Sequence, residues 1–415
     1  MIINIPQFFR KVFILLTTVL LFGGNENSPV FSHIPELFAA VIIILAVLYF
    51  LDRDVVRITH NGWMLFGFVL IALYLVLEFY FWALYPGTVK IYITRYLLLF
   101  ILMIFNINCE SIVEIMTACK WYAAAIGVVY VGMYALQGNN GSFLGSYQNV
   151  ACGMCIAMLI AEINIFLSKE KDKIDIALFI FYLMVLMMTG KRTFLIIPFV
   201  LMLVFVNVNN LVVAVKENRK RIVRLVLLLV ILAVIVLAVK PDLLSSINRI
   251  ADNGDDAMSG RDRLWGLAIY LWQNNPIKGI GMGGYVNFIR YNNAFTKSLM
   301  GVSLITSVHN IYLQLLAENG VIGFGLYMIF FISNLVFAIK NLRRAISIQK
   351  IKVTYAAYFA LFLQIWFLIY GVTGNPLFTL YQIFIYFFAV MVSQSVKYEI
   401  EEINNHEIVN NNTGL

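Results

Sequence analysis

The stretch SVHNIYLQLLAENGVIGFGLYMIFF, residues 307–331, decides the fold class. A polar start, Ser-Val-His-Asn, runs straight into an apolar segment that continues past residue 331. About 20 such residues make a helix long enough to cross a hydrocarbon layer of roughly 30 Å. The whole chain has this character: its 415 residues are 61% hydrophobic and 13% charged, whereas soluble proteins are nearer half apolar and about one quarter charged. Further apolar runs fall near 11–22, 34–51, 62–85, 91–107, 121–137, 148–168, 174–189, 193–215, 222–239, 353–370 and 376–396. With 309–339 they make about twelve. In lipid, each backbone polar group must be satisfied within its own segment, so these runs are expected to be helices. The reading is an all-α polytopic integral membrane protein with about 12 transmembrane helices and one large external loop containing short helices.

Basic residues set the expected orientation. A cytoplasmic N-terminus puts Arg53, Arg57, Lys120, SKEKDK (168–173), KENRKRIVR (216–224) and KNLRRAISIQKIK (340–352) inside, as the excess of Lys and Arg in cytoplasmic loops requires. Residues 1–239 then hold spans one to nine, 240–308 the large external loop, 309–396 spans ten to twelve, and 397–415 a cytoplasmic tail. The first run follows Arg10 and Lys11 as a leader would, but no small-residue cleavage site follows it, so it is expected to be a retained span. The net charge of +8 reflects topology and anionic headgroups, so nucleic acid is not an expected partner. Cys152 and Cys155 lie within an apolar run, where small-residue packing explains them better than metal or redox chemistry. No internal repeat is visible.

The loop begins at KPDLLSSINRI (240–250), passes through ADNGDDAMSG, and continues as RDRLWGLAIYLWQNNPIKGIGMGGY. Residues 261–273 alternate with helical period but are too short to span, and their two tryptophans suit an interfacial helix. Pro276 and the glycines from Gly279 to Gly284 then break it. A loop of this length on a compact membrane protein is usually functional.

Cations gather on this side against the positive-inside trend. Lys191 and Arg192 sit in the turn MTGKRTFLI, and the loop adds Arg249, Arg261, Arg263, Lys278, Arg290 and Lys297. The planar fork of arginine matches two phosphate oxygens at once, so the set suits an anionic, lipid-linked substrate. Individually, Lys191 and Arg192 also read as residues snorkelling to headgroups, and each loop arginine as a local partner of Asp252, Asp255, Asp256 or Asp262. His309 stands at the helix start, where the positive helix end and nearby cations disfavour its protonated form. It reads either as a general base or as a capping histidine, with Asn310 helping the helix to start. Glu78, Arg95, Glu162 and Glu318 are expected to face a bundle interior or cavity, with Asn310 and Tyr312 as further cavity-lining candidates. Gly320, Gly323 and Gly325 are expected to let neighbouring helices approach. No metal and no other cofactor is expected: DRD (52–54) is read as a solvated cytoplasmic turn, and nothing completes a site around DNGDD.

Three stretches carry a resemblance to the bacterial O-antigen polymerase and O-antigen ligase superfamily. SVHNIYLQLLAENGVIGFGLYMIFF resembles its His-Asn helix start, SGRDRLWGLAIYLWQNNPIKGIGMGGY its Arg…Trp…Pro-x-x-Gly-x-Gly loop, and LMMTGKRTFLIIPFV its basic turn between two spans. GSFLGSYQNVACGMCIA (141–157) is a weaker fourth match, with Asn149 in the usual Asn position. The turn departs from the family pattern by reading Gly-Lys-Arg-Thr. The resemblance implies a glycosyltransferase of the bacterial cytoplasmic membrane that uses no metal or nucleotide sugar. It implies a glycan donor on undecaprenyl diphosphate, with membrane lipid, a flippase and a chain-length regulator as pathway partners. Arg192 and Arg261 would hold the diphosphate, with Lys191, Arg249 and Arg263 less securely placed, and His309 would take the acceptor's proton. A polymerase of O-antigen, capsule or exopolysaccharide is the favoured reading. A ligase transferring to a lipid or protein anchor is the alternative, and a flippase or other transporter the further one.

Overall fold

The computed structural model describes residues 4–22, 34–58, 62–137, 147–168, 173–208, 261–302 and 305–413. Its first helices are α1 (Ile5–Phe22), α2 (Ile34–Leu51), α3 (Gly62–Phe81), α4 (Pro86–Ile104), α5 (Cys109–Gln137), α6 (Tyr147–Leu167), α7 (Lys173–Thr189) and α8 (Arg192–Val208). After position 260 come α9 (Arg261–Asn274), α10 (Gly284–Tyr291), α11 (Asn293–Met300), α12 (Ile311–Ile348), α13 (Ile351–Gly371) and α14 (Leu380–Thr413). Seven described helices, α1, α4, α5, α6, α12, α13 and α14, are long and apolar enough to cross a membrane, and shorter apolar segments lie in α2, α3 and α8. The chain is an all-α membrane protein. The expected span at 222–239, the loop segment 240–260 with Arg249, and the histidines His33 and His60 lie outside the described residues.

Aromatic side chains bind the central helices together. Phe68 of α3 meets Tyr96 of α4 at 5.7 Å, Phe330 of α12 at 6.3 Å and Phe387 of α14 at 5.6 Å between ring centroids. Tyr386 lies 4.6 Å from Phe367 of α13. These separations fall in the favourable range for edge and offset ring contacts. Phe13, Phe38 and Trp366 are likewise fully buried.

Three details depart from the sequence reading. Short strands β1 (Val56–Ile58) and β2 (Phe105–Ile107) pair antiparallel, with Val56 opposite Ile107; β-branched and aromatic residues favour this over a further helical turn. Lys120 is not a loop residue but lies inside α5, where its charge is matched by Asp175 at 2.7 Å. Of the three glycines expected to admit neighbouring helices, Gly323 does approach Tyr74 of α3, Gly325 has open space beside it, and Gly320 breaks α12 with φ 59° and ψ −169°.

The α3–α4 turn, the α7–α8 turn, α9 to α11, the start of α12 and the α13–α14 connection lie at one end of the bundle. Leu84 N donates to Ile280 O at 2.9 Å, and the Thr193 and Thr373 hydroxyls meet at 2.7 Å. The strand pair and the α12–α13 turn lie at the other end.

Candidate functional site

The site rests on a mended helix. At Gly320 the intrahelical ladder of α12 stops, which strands carbonyls on one side and amides on the other. The glycine loop between α9 and α10 fills both. Ile280 N and Gly281 N donate to Ala317 O and Glu318 O at 3.2 and 2.7 Å, while Val321 N and Ile322 N donate to Pro276 O and Ile277 O at 2.9 and 3.4 Å. Backbone meets backbone so closely that a Cβ on Gly279 would lie 2.2 Å from Glu318 O, and one on Gly320 2.3 Å from Ile277 O. Both positions also have left-handed φ, which only glycine adopts freely.

Two buried carboxyl groups hold the rest of the loop. Glu318 accepts from Gly283 N at 2.7 Å, Tyr285 N at 3.0 Å and Gln314 Nε2 at 3.0 Å. Glu78, from α3, accepts from Met282 N and Asn319 Nδ2, each at 3.0 Å. Tyr74 Oη donates to Asn319 O at 2.6 Å. An intramembrane acid is costly unless matched by donors, and here the donors are backbone amides of the loop together with the side-chain amides of Gln314 and Asn319.

From this scaffold two hydrogen bonds lead to the histidine. Tyr285 Oη donates to Leu264 O at 2.8 Å, fixing α9, and Trp265 Nε1 donates to Val308 O at 3.1 Å, fixing the residue before His309. Asn310 is the helix N-cap: its Oδ1 accepts from Tyr312 N at 3.0 Å and Leu313 N at 3.1 Å. His309 therefore does not cap α12. It is held instead at φ 57°, a left-handed conformation that costs a residue with a Cβ on the order of 1–2 kcal/mol and that gathers at functional sites. Its Nε2 lies 3.4 Å from Thr306 Oγ1.

Among the described residues, Arg261, at the start of α9, and Lys191, in the α7–α8 turn, act electrostatically on His309. Burial, then Arg261, then Lys191 hold the imidazole below its ordinary value of 6.5, so it stays neutral. Burial and then Arg261 likewise hold the Lys191 ammonium below 10.5. Arg261 is also within electrostatic reach of the Tyr370 hydroxyl at the end of α13. Tyr370 bonds Gln148 beneath the site, and in the same layer Tyr381 Oη donates to Asn149 Oδ1 at 2.6 Å. Chemically, this is an anion-attracting corner with a neutral proton acceptor in it.

Of the residues singled out in the sequence, the fold brings Lys191, Arg261 and His309 together. Arg192 is exposed as the first residue of α8, and Arg263 extends against Gly301, 3.3 Å from where a Cβ there would stand. Tyr312 Oη donates to Leu368 O at 2.7 Å, joining α12 to α13. Glu318 is fully buried under the glycine loop. The local pattern gave no sign of Trp265 and Tyr370 as site neighbours. Glu78 stood out only as an acid in an apolar run.

Fold and site together define a helical membrane protein with a cationic histidine corner at one end of its bundle. Residues 177–328 match the O-antigen ligase family, a segment that includes Lys191, Arg192, Arg261, Arg263, His309, Asn310 and Glu318. No curated protein matches the chain.

Proposed function

We propose that the protein is a polysaccharide polymerase of the cytoplasmic membrane, joining oligosaccharide repeat units carried on undecaprenyl diphosphate at the outer face, with both chain termini cytoplasmic. The observation that carries this reading is the placement of Arg261 and Lys191 beside a neutral, conformationally strained His309. In the reaction, the acceptor hydroxyl oxygen attacks the anomeric carbon of the donor. His309 takes the hydroxyl proton, the bond from that carbon to the diphosphate oxygen breaks, and undecaprenyl diphosphate leaves. Arg261 and Lys191 hold the diphosphate and stabilise the charge that develops on it. Proton acceptance by a positioned base contributes about 10²- to 10⁴-fold.

A ligase that hands a finished glycan to a lipid or protein anchor is the second reading, favoured by the description of the matched family. One experiment tests both. The chromosomal copy is deleted and replaced by wild type, His309→Ala or Arg261→Ala at matched membrane levels, and surface glycan is resolved as a ladder. Single repeats only, in both variants, support the polymerase. Long chains that never reach their anchor support the ligase. Normal long glycan with His309→Ala refutes the assigned base.

A further inference from the structure

A cavity of about 530 Å³ opens at the same end of the bundle, between the α3–α4 turn and α10. Its lining includes Tyr85, Gly87, Thr88, Asn287 and Tyr291, and none of the described residues that line it is charged. A smaller cavity of about 280 Å³ at the opposite end is lined by Asp54, Arg57, Glu399 and Glu402 among others. Among the described residues, the lining of the larger one offers no cation to a diphosphate.

What it offers is suited to a neutral, hydroxyl-rich ring. Tyr85 and Tyr291 stack at 5.5 Å with planes 22° apart, and Tyr291 is 69% exposed, so its outer ring face is open. An aromatic face carries negative potential and takes the slightly positive C–H face of a sugar. Asn287 is only 9% exposed, and both of its hydrogen bonds, to Thr88 Oγ1 at 3.4 Å and Gly283 O at 3.5 Å, leave through Nδ2. Its Oδ1 remains to accept from a hydroxyl. No side chain caps α4 at Tyr85, and the space a Cβ of Gly87 would occupy is open, so the backbone amide of Gly87 is a donor at the rim. A flat apolar face with a few fixed polar groups is the usual composition of a small-molecule site.

The cavity is joined to the reaction centre through the scaffold already described. Gly283 and Tyr285 are held by Glu318 of α12, the helix whose first turn follows His309, and Asn287 lies about half a turn further along α10. We propose that this cavity is a glycan subsite that receives a neutral sugar ring of the substrate, separately from the diphosphate. The proposal rests on the glycosyl-transfer reading above.

The test titrates full-length protein in lipid nanodiscs by calorimetry. The probe is the repeat-unit oligosaccharide released from the host's surface glycan by mild acid, free of lipid and phosphate. Wild type is expected to bind saturably, and Tyr291→Ala, at an exposed position outside the core, about three- to tenfold more weakly, the size of one aromatic contact. Tyr291→Phe keeps the ring and restores binding, and Asn287→Ala weakens it independently. No binding by wild type, equal binding by Tyr291→Ala and Asn287→Ala, or competition by inorganic pyrophosphate overturns the subsite. His309→Ala separates the two ideas. If it still transfers glycan while Tyr291→Ala loses binding, the catalytic assignment falls and the subsite stands.

Discussion

The two ends of the bundle treat charge in opposite ways. At the end with the strand pair, cations meet acids: Arg10 with Glu114 at 2.7 Å, Arg57 with Glu402 at 2.8 Å, Lys120 with Asp175 at 2.7 Å and Lys352 with Glu110 at 2.8 Å. At the other end the buried carboxyl groups, Glu78 and Glu318, turn inward onto the amides of the glycine loop, while Arg261 and Lys191 surround a histidine. The first arrangement closes charge within the fold. The second keeps acids on the backbone and cations toward the site, which suits an anion arriving from outside.

Substitutions at each end sharpen this contrast. The largest effect is expected from His309→Gly: transfer in a reconstituted single-turnover assay falls about 10²- to 10⁴-fold. Thermal stability meanwhile rises by roughly 1 kcal/mol, because glycine adopts φ 57° without strain. A fall in both together would make the histidine structural. At the paired end, Asp175→Ala strands the Lys120 charge, whose side chain is only 10% exposed, and is expected to cost about 3–5 kcal/mol of unfolding free energy. The fraction that remains folded should transfer glycan at an undiminished rate; a specific loss of rate would tie that end to the chemistry.

The acid limb of the pH–rate profile is expected below 6.5, since the folded imidazole is held under that value. Rate is lost as pH falls through the lowered value and the base is protonated. The linked stability has the same sense: it is present above the unfolded value and declines as pH falls through the folded one. Arg261→Gln removes one of the two neighbouring cations, so the limb should move up toward 6.5; an unmoved limb would place the base elsewhere. The smallest effect is expected from Arg57→Ala, whose side chain and Glu402 partner are 25% and 39% exposed: within about 1 kcal/mol of wild-type stability, with full transfer activity in the same assay.

Much of this was legible in the chain and some was not, for a physical reason. Apolar length identified α12 and α13 as membrane helices, and helical alternation placed α9 with its break at Pro276, because each of these is a local property of consecutive residues. The position of His309 at a helix start was equally plain. The role of Gly320 was not, since a glycine in an apolar run reads as a packing site unless the loop that fills its break is known. That loop precedes it by some forty residues, and Glu78, which helps hold the loop, is 241 residues from its partner Asn319. The orientation of the basic turn was hidden likewise, because adjacent Lys191 and Arg192 differ only in which side of one turn they take.

The mended break in α12 has a consequence for biogenesis. A ribosome delivers residues 276–281 before residues 317–322, so the strip of backbone that completes the helix is made before the gap it fills. If the loop has been exported by the time α12 enters the bilayer, the unbonded amides and carbonyls at Gly320 find their partners on arrival and need not wait for a later rearrangement. Chain order itself then serves as an assembly instruction.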